Sequence, residues 1–134
     1  MSRVVPVLVL VVLSCALAVA AVGSASSRAR GDARFEAEAQ RVVTVFFRTI
    51  NQRRYERTCA LLADGFFEGM PTGRERCALG FRIGFTGLGE FRVRFLGVRV
   101  EGDRAVVGTV VDGAPGRIVI VREAGRYRVL RVEG

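Results

Sequence analysis

The hydrophobic periodicity of this chain predicts an α+β fold: an apolar N-terminal segment, then three helices, then a four-stranded antiparallel sheet. Three observations carry that reading. A run of about twenty apolar residues follows Arg3. From Phe35 to Ile50 the apolar positions recur at helical spacing, and beyond Gly89 the period changes to two, in short runs separated by glycine-bearing turns.

Residues 1–23 come first. VVPVLVLVVLSCALAVAAVG, broken only by Pro6, Ser14 and Cys15, is long enough to cross a hydrocarbon core as a helix, which makes it a transmembrane anchor or a signal peptide. The small residues of AVGSAS, 21–26, suit a signal peptidase. VLSC, 12–15, loosely resembles a lipobox, which would put Cys15 at a lipidated mature N-terminus. Against it, the apolar run continues through ALAVAAV, where a lipoprotein turns polar. Arg3 precedes the span while Arg28, Arg30 and Arg34 follow it, so the positive-inside rule does not favour an exported C-terminal domain. SASSRARGD, 24–32, is small, polar and aperiodic, and reads as a linker into a folded domain over 33–134.

In that domain Phe35, Ala39, Val42, Val43, Phe46 and Ile50 share one helix face, with Arg34, Glu38, Arg41 and Arg48 opposite and Arg34–Glu38 an i,i+4 pair. A turn around NQRR, 51–54, leads to a shorter helix in which Tyr55, Cys59 and Leu62 share a face, ended by Asp64-Gly65. FFEGMP, 66–71, is an apolar loop punctuated by Gly69 and Pro71. Thr72 and Glu75 then spell a capping box after Pro71, predicting a third helix that starts there, weakens at Gly80 and Gly84, and ends in GFTGLGE, 84–90.

The first strand alternates Phe91, Val93 and Phe95 against Arg92 and Arg94, but beyond Leu96-Gly97 its apolar set shifts by one, to Val98 and Val100. A one-residue slip would turn the strand inside out, so a bulge is expected at Leu96-Gly97. EGD, 101–103, turns into RAVVGTVV, and DGAPG, 112–116, turns into RIVIV; both runs are apolar on both faces, as central strands are. EAGR, 123–126, leads to YRVLRV, the last strand.

The layout, with a long first helix, a short cysteine-bearing second, a slipped strand and the ending VEGDRAVVGTVVDGAPGRIVIVREAGRYRVLRV, resembles the NTF2-like superfamily over residues 33–134, most of all its small exported or membrane-anchored actinobacterial members. The resemblance implies a curved sheet wrapped around the long helix as a cone whose open end often forms a pocket. Enzymatic relatives, ketosteroid isomerases and polyketide cyclases among them, place an Asp base and polar partners inside that cone. Fold alone does not imply such chemistry.

The residues for it are sparse. The chain has no histidine, which removes the commonest general base, the commonest metal ligand and any Ser-His or Cys-His nucleophile. Asp32, Asp64, Asp103 and Asp112 all fall in linker or turn settings; Asp64 is the least misplaced as a base and reads first as a helix terminator. Glu56, Glu68 and Glu90 sit in polar surroundings, and Tyr55 and Tyr127 read as core residues with a hydroxyl at the rim. GFTGLG has neither dinucleotide nor phosphate-loop spacing and leads into a strand.

The net charge of +8, with a pI of about 11.1, suggests an anionic partner. All 21 basic residues are arginine, however, as a GC-rich genome produces, and no run exceeds Arg53-Arg54. Arg92, Arg94, Arg126, Arg128 and Arg131 read as a solvated sheet face, and Phe91 and Phe95 alternate to the other side, against single-stranded nucleic acid.

Cys59 and Cys77 bound the remaining question. Two thiols without histidine cannot complete a structural zinc site, and their spacing is far from C-x-x-C. Inert thiols would suit a cytosolic domain. Behind an export segment, in a domain this small, an even pair predicts a disulfide joining helix two to helix three. The sequence therefore predicts a non-catalytic, extracytoplasmic binding or assembly module of the cell envelope. It would be single-pass or secreted after cleavage, with no cofactor, metal or nucleic-acid partner. Its partner would be an envelope protein or hydrophobic ligand, and it would be a monomer or a dimer through the sheet. The alternatives are a pocket enzyme of the isomerase or cyclase type, and an arginine-rich accessory to anionic lipid or wall polymer.

Overall fold

The computed structural model describes the backbone of residues 5–134 and the side chains from Ser27 onward. The chain divides into two compact units, one ending at Arg34 and the other spanning Phe35–Gly134. The anchor or signal expected over 1–23, and Cys15 within it, lie outside the residues described with side chains. Among the described residues no helix is long and apolar enough to cross a membrane. The linker expected over 24–32 is instead helical and belongs to α1, Val5–Asn51. Its alanines and arginines are strong helix formers, which outweighs the single Gly31.

The second unit is α+β. The face of α1 read from the sequence is the one it buries: Ala39 and Val43 are fully enclosed, and Val42, Phe46 and Ile50 nearly so. Each large member of that face contributes about 1.5–3 kcal/mol by leaving water. On the opposite side Glu38 pairs with Arg41 at 2.7 Å, one turn on, rather than with Arg34. At the C-terminal end the Asn51 amide donates to the Phe91 carbonyl at 3.0 Å and its oxygen accepts from the Phe91 N–H at 2.8 Å, tying the helix to the entrance of the sheet.

The sheet is an antiparallel meander, β1 Val93–Glu101, β2 Arg104–Val111, β3 Ala114–Glu123 and β4 Arg126–Glu133, with β2 and β3 central as their two-sided apolar runs required. Two hairpins turn on two residues of positive φ, Asp112-Gly113 (49° and 84°) and Ala124-Gly125 (50° and 75°), the geometry that matches strand twist and favours glycine second. The expected bulge is present: register shifts between Phe95 and Gly97, so Val93, Phe95, Val98 and Val100 all share the face of Ala105, Val107 and Thr109. A second, unexpected bulge lies between Val119 and Ile120 opposite Arg131 and Val129, where the apolar set slips from Tyr127 and Val129 to Val132. The residue it frees, Leu130, reaches Gly65, where a Cβ would stand 2.7 Å from its Cδ1.

The segment from Cys59 to Cys77 departs most from expectation. α2, Tyr55–Ala60, stops earlier than Asp64-Gly65. Leu61–Ala63 instead lies along the β4 edge: Val129 N–H donates to Leu61 O and Ala63 N–H to Val129 O, both at 2.8 Å. This covers an otherwise open sheet edge and fully buries Leu62. A 3-10 turn, Asp64–Phe67, follows, and α3 is Cys77–Gly84. The capping box at Thr72 and Glu75 is not formed; Arg76 occupies the cap position with no side-chain bond. Long-range contacts prevail there. Arg74 donates to Leu62 O at 3.1 Å and Asp64 Oδ1 at 2.7 Å, its guanidinium lies 4.7 Å from the Phe67 ring centre, and Gly73 folds tightly over Phe67 and Met70. Residues 71–76 are thereby held in successive turns, and helix begins only after them.

Candidate functional site

The inner face of the sheet and the helices leave an apolar cavity of about 360 Å³. Phe46, Phe47 and Ile50 of α1 form one wall, Phe81 of α3 and Phe85 at its C-cap a second, and the β2–β3 hairpin with the end of β4 closes the far side. A more open cleft of about 450 Å³, bounded by Met70–Gly73, Arg76 and Gly80, lies beyond it, and Phe66, Phe81 and Phe85 line both. These volumes fall within the range of small-molecule sites.

The walls are aromatic and mutually braced. Tyr55 stacks on Phe81 at 6.2 Å, Phe81 on Phe85 at 5.6 Å, and Phe85 meets Phe91 edge-on at 5.4 Å. Such pairs add orientation to the burial of their area. Beneath this row the buried hydroxyls of Thr49 and Thr58 bond each other at 2.8 Å, and Thr49 also donates to the Phe46 carbonyl at 2.8 Å, joining α1 to α2 with no unpaired donor.

Polar groups are few. Thr109, buried, donates to the Gly116 carbonyl at 3.4 Å. Glu133 borders the lining at the end of β4, but its carboxylate is turned to the other face of the sheet, with Arg117 at 3.1 Å and Arg131 at 3.4 Å. The chemistry the arrangement supports is enclosure of apolar surface, with charge at one rim.

The candidate residues named from the sequence fall as follows. Cys59 and Cys77 stand at disulfide distance with Cα atoms 6.0 Å apart, joining α2 to the first residue of α3. Asp64, the least misplaced base, is 80% exposed and engaged by Arg74; it opens the 3-10 turn rather than ending a helix, and its N–H is received by the Glu123 carboxylate at 3.1 and 3.2 Å. Asp112 accepts the Arg92 N–H at 2.9 Å, a turn role. Glu56 faces Arg82 at 3.7 Å, and Tyr55 is buried in the aromatic row. None of these carboxylates borders the cavity. Among the described residues no group of three Cys, Asp or Glu could hold a metal ion.

Sequence reading missed the cavity wall itself. Its signal was Phe81 and Phe85 at i,i+4 and the doubled Phe46-Phe47 and Phe66-Phe67 in a chain with nine phenylalanines. No family model, curated protein or solved structure matches the chain.

Proposed function

We propose that the Phe35–Gly134 unit is an NTF2-like cone acting as a non-catalytic binding module on the extracytoplasmic side of a membrane, held there by residues 1–23 or released by cleavage, and that its cavity takes one apolar small molecule or acyl chain. The observation that carries this reading is the braced aromatic cavity of about 360 Å³ whose one acidic border residue, Glu133, turns its carboxylate to two arginines on the other face of the sheet. A general base needs reach to the proton it takes; a carboxylate drawn outward by two guanidiniums is poorly placed for that. The Cys59–Cys77 pair supports an oxidising compartment. The long first helix, the bulged strand and the sheet order support the cone.

The test is binding of 1-anilinonaphthalene-8-sulfonate to the full chain, with native mass spectrometry for any co-purified lipid. Wild type is expected to bind one probe molecule per chain and to release it to a long-chain fatty acid. Ala114→Trp, at the cavity lining on the exposed first residue of β3, is expected to abolish binding without unfolding. Equal binding by this variant would place the apolar site elsewhere and sink the reading.

A further inference from the structure

The face of the sheet turned away from the cavity has a different chemistry. Strand register places Arg94 and Arg99 of β1, Arg104 of β2, Arg117 of β3, and Arg126, Arg128 and Arg131 of β4 opposite the face of Ala105, Val107, Ile118 and Ile120. On the same face the acidic side chains are Glu101, Glu123 and Glu133: Glu101 pairs with Arg99 at 2.6 Å, Glu133 is shared by Arg117 and Arg131, and Glu123, at the β3–β4 end, accepts the Asp64 N–H. Seven arginines thus meet three carboxylates. The pairs are exposed, so a phosphate oxygen can replace a carboxylate at small cost.

Between the charges the floor is apolar. The β1 bulge lifts Leu96 to 59% exposure beside half-buried Val106 and Val110. Gly97 opposite Gly108 leaves a shallow hollow of about 350 Å³ edged by Leu96, Arg99 and Arg117. A second copy of the chain on this face would press arginine against arginine. Single-stranded nucleic acid needs aromatic platforms, and Phe95 points to the opposite face. A flat field of guanidiniums around protruding aliphatic side chains fits the headgroup layer of a bilayer, where arginine takes phosphate oxygens in pairs.

We propose that this face docks on an anionic phospholipid surface, with Arg99, Arg117 and Arg131 on lipid phosphates and Leu96 among the headgroups. The inference goes beyond the cavity reading and shares with it only the location at a membrane.

The chain contains no tryptophan, so Leu96→Trp supplies a unique reporter in the full-length protein. With vesicles of phosphatidylcholine containing phosphatidylglycerol, the introduced indole is expected to shift to the blue and to be quenched by brominated lipid, with loss of both effects in high salt. With pure phosphatidylcholine the chain is expected to float with the vesicles through its N-terminal segment while the indole stays open to aqueous quencher. Adding Arg99→Gln, Arg117→Gln and Arg131→Gln is expected to abolish the quenching. Arg48→Gln, Arg57→Gln and Arg82→Gln, which remove the same charge from exposed helical positions, are expected to preserve it. Should the outer-face triple variant fail to fold, the pair Arg94→Gln and Arg104→Gln reads the same face.

Quenching that is equal in neutral vesicles, or that survives the outer-face substitutions, overturns the proposal. So does flotation on anionic vesicles without quenching, which leaves the tether standing and removes the docking face. A shift produced by soluble polyphosphate that displaces the chain's indole from vesicles assigns the face to a soluble polymer instead.

Discussion

The β2–β3–β4 meander and the Cys59–Cys77 segment are both short, glycine-bearing stretches, yet they are held in opposite ways. In the meander each strand pairs with the next across a two-residue turn, so structure follows from neighbours in sequence. In the segment local turns and the Arg74 contacts are anchored by closures from far away: Leu61–Ala63 to Val129, Asp64 N–H to Glu123, and Gly65 to Leu130. Local contacts cost little loop-closure entropy, whereas distant ones must be closed together to hold any of them. The segment should therefore be the more cooperative unit and the more sensitive to loss of a single closure.

Leu62→Ala breaks the comparison hardest, because Leu62 is fully buried and its backbone belongs to the β4 edge. It is expected to cost about 2–5 kcal/mol in urea unfolding, and to expose the amides of 61–63 and Val129 together to hydrogen exchange. A loss confined to a few tenths of a kcal/mol would mean that the edge does not depend on this side chain.

Next in size is the pair Cys59→Ser with Cys77→Ser. A closed loop of about this length stabilises by about 3 kcal/mol, mainly by restricting the unfolded chain. Faster amide exchange is expected through 61–76, with the hairpins keeping their protection. Uniform loss of protection would show that the two regions form one cooperative unit.

The smallest effect sharpens the other side. Gly113→Ala forces a Cβ onto φ of 84° and is expected to cost about 1 kcal/mol, with faster exchange only near the β2–β3 turn. If the same change loosened 61–76, the turn would not be acting locally.

Legibility in the sequence follows the same division. The buried face of α1 was readable because Ala39, Val43, Phe46 and Ile50 repeat at the helix period, and the bulge because Phe95 and Val98 break the strand period by one. The false helix start at Thr72 has the opposite cause. A capping box is a local preference worth about 1 kcal/mol, and Arg74 on Leu62 and Asp64, with Gly73 packed on Phe67, holds those residues in turns instead. The cysteine pair was legible from spacing, residue supply and the apolar N-terminus, and the second bulge at Leu130 carries the same mark as the first, a one-residue slip from Tyr127 and Val129 to Val132, which the sequence reading passed over.

The sequence alone determined the order of elements, the faces of α1 and β1, the central places of β2 and β3, and the pairing of Cys59 with Cys77, since each rests on a period or a count that the chain carries locally. Tertiary structure alone decided that Phe46, Phe81 and Phe85 enclose a cavity, that Leu61–Ala63 caps the β4 edge, and that seven arginines from four strands gather on one face. Those features are sums over residues distant in sequence, and only strand register and packing bring them together.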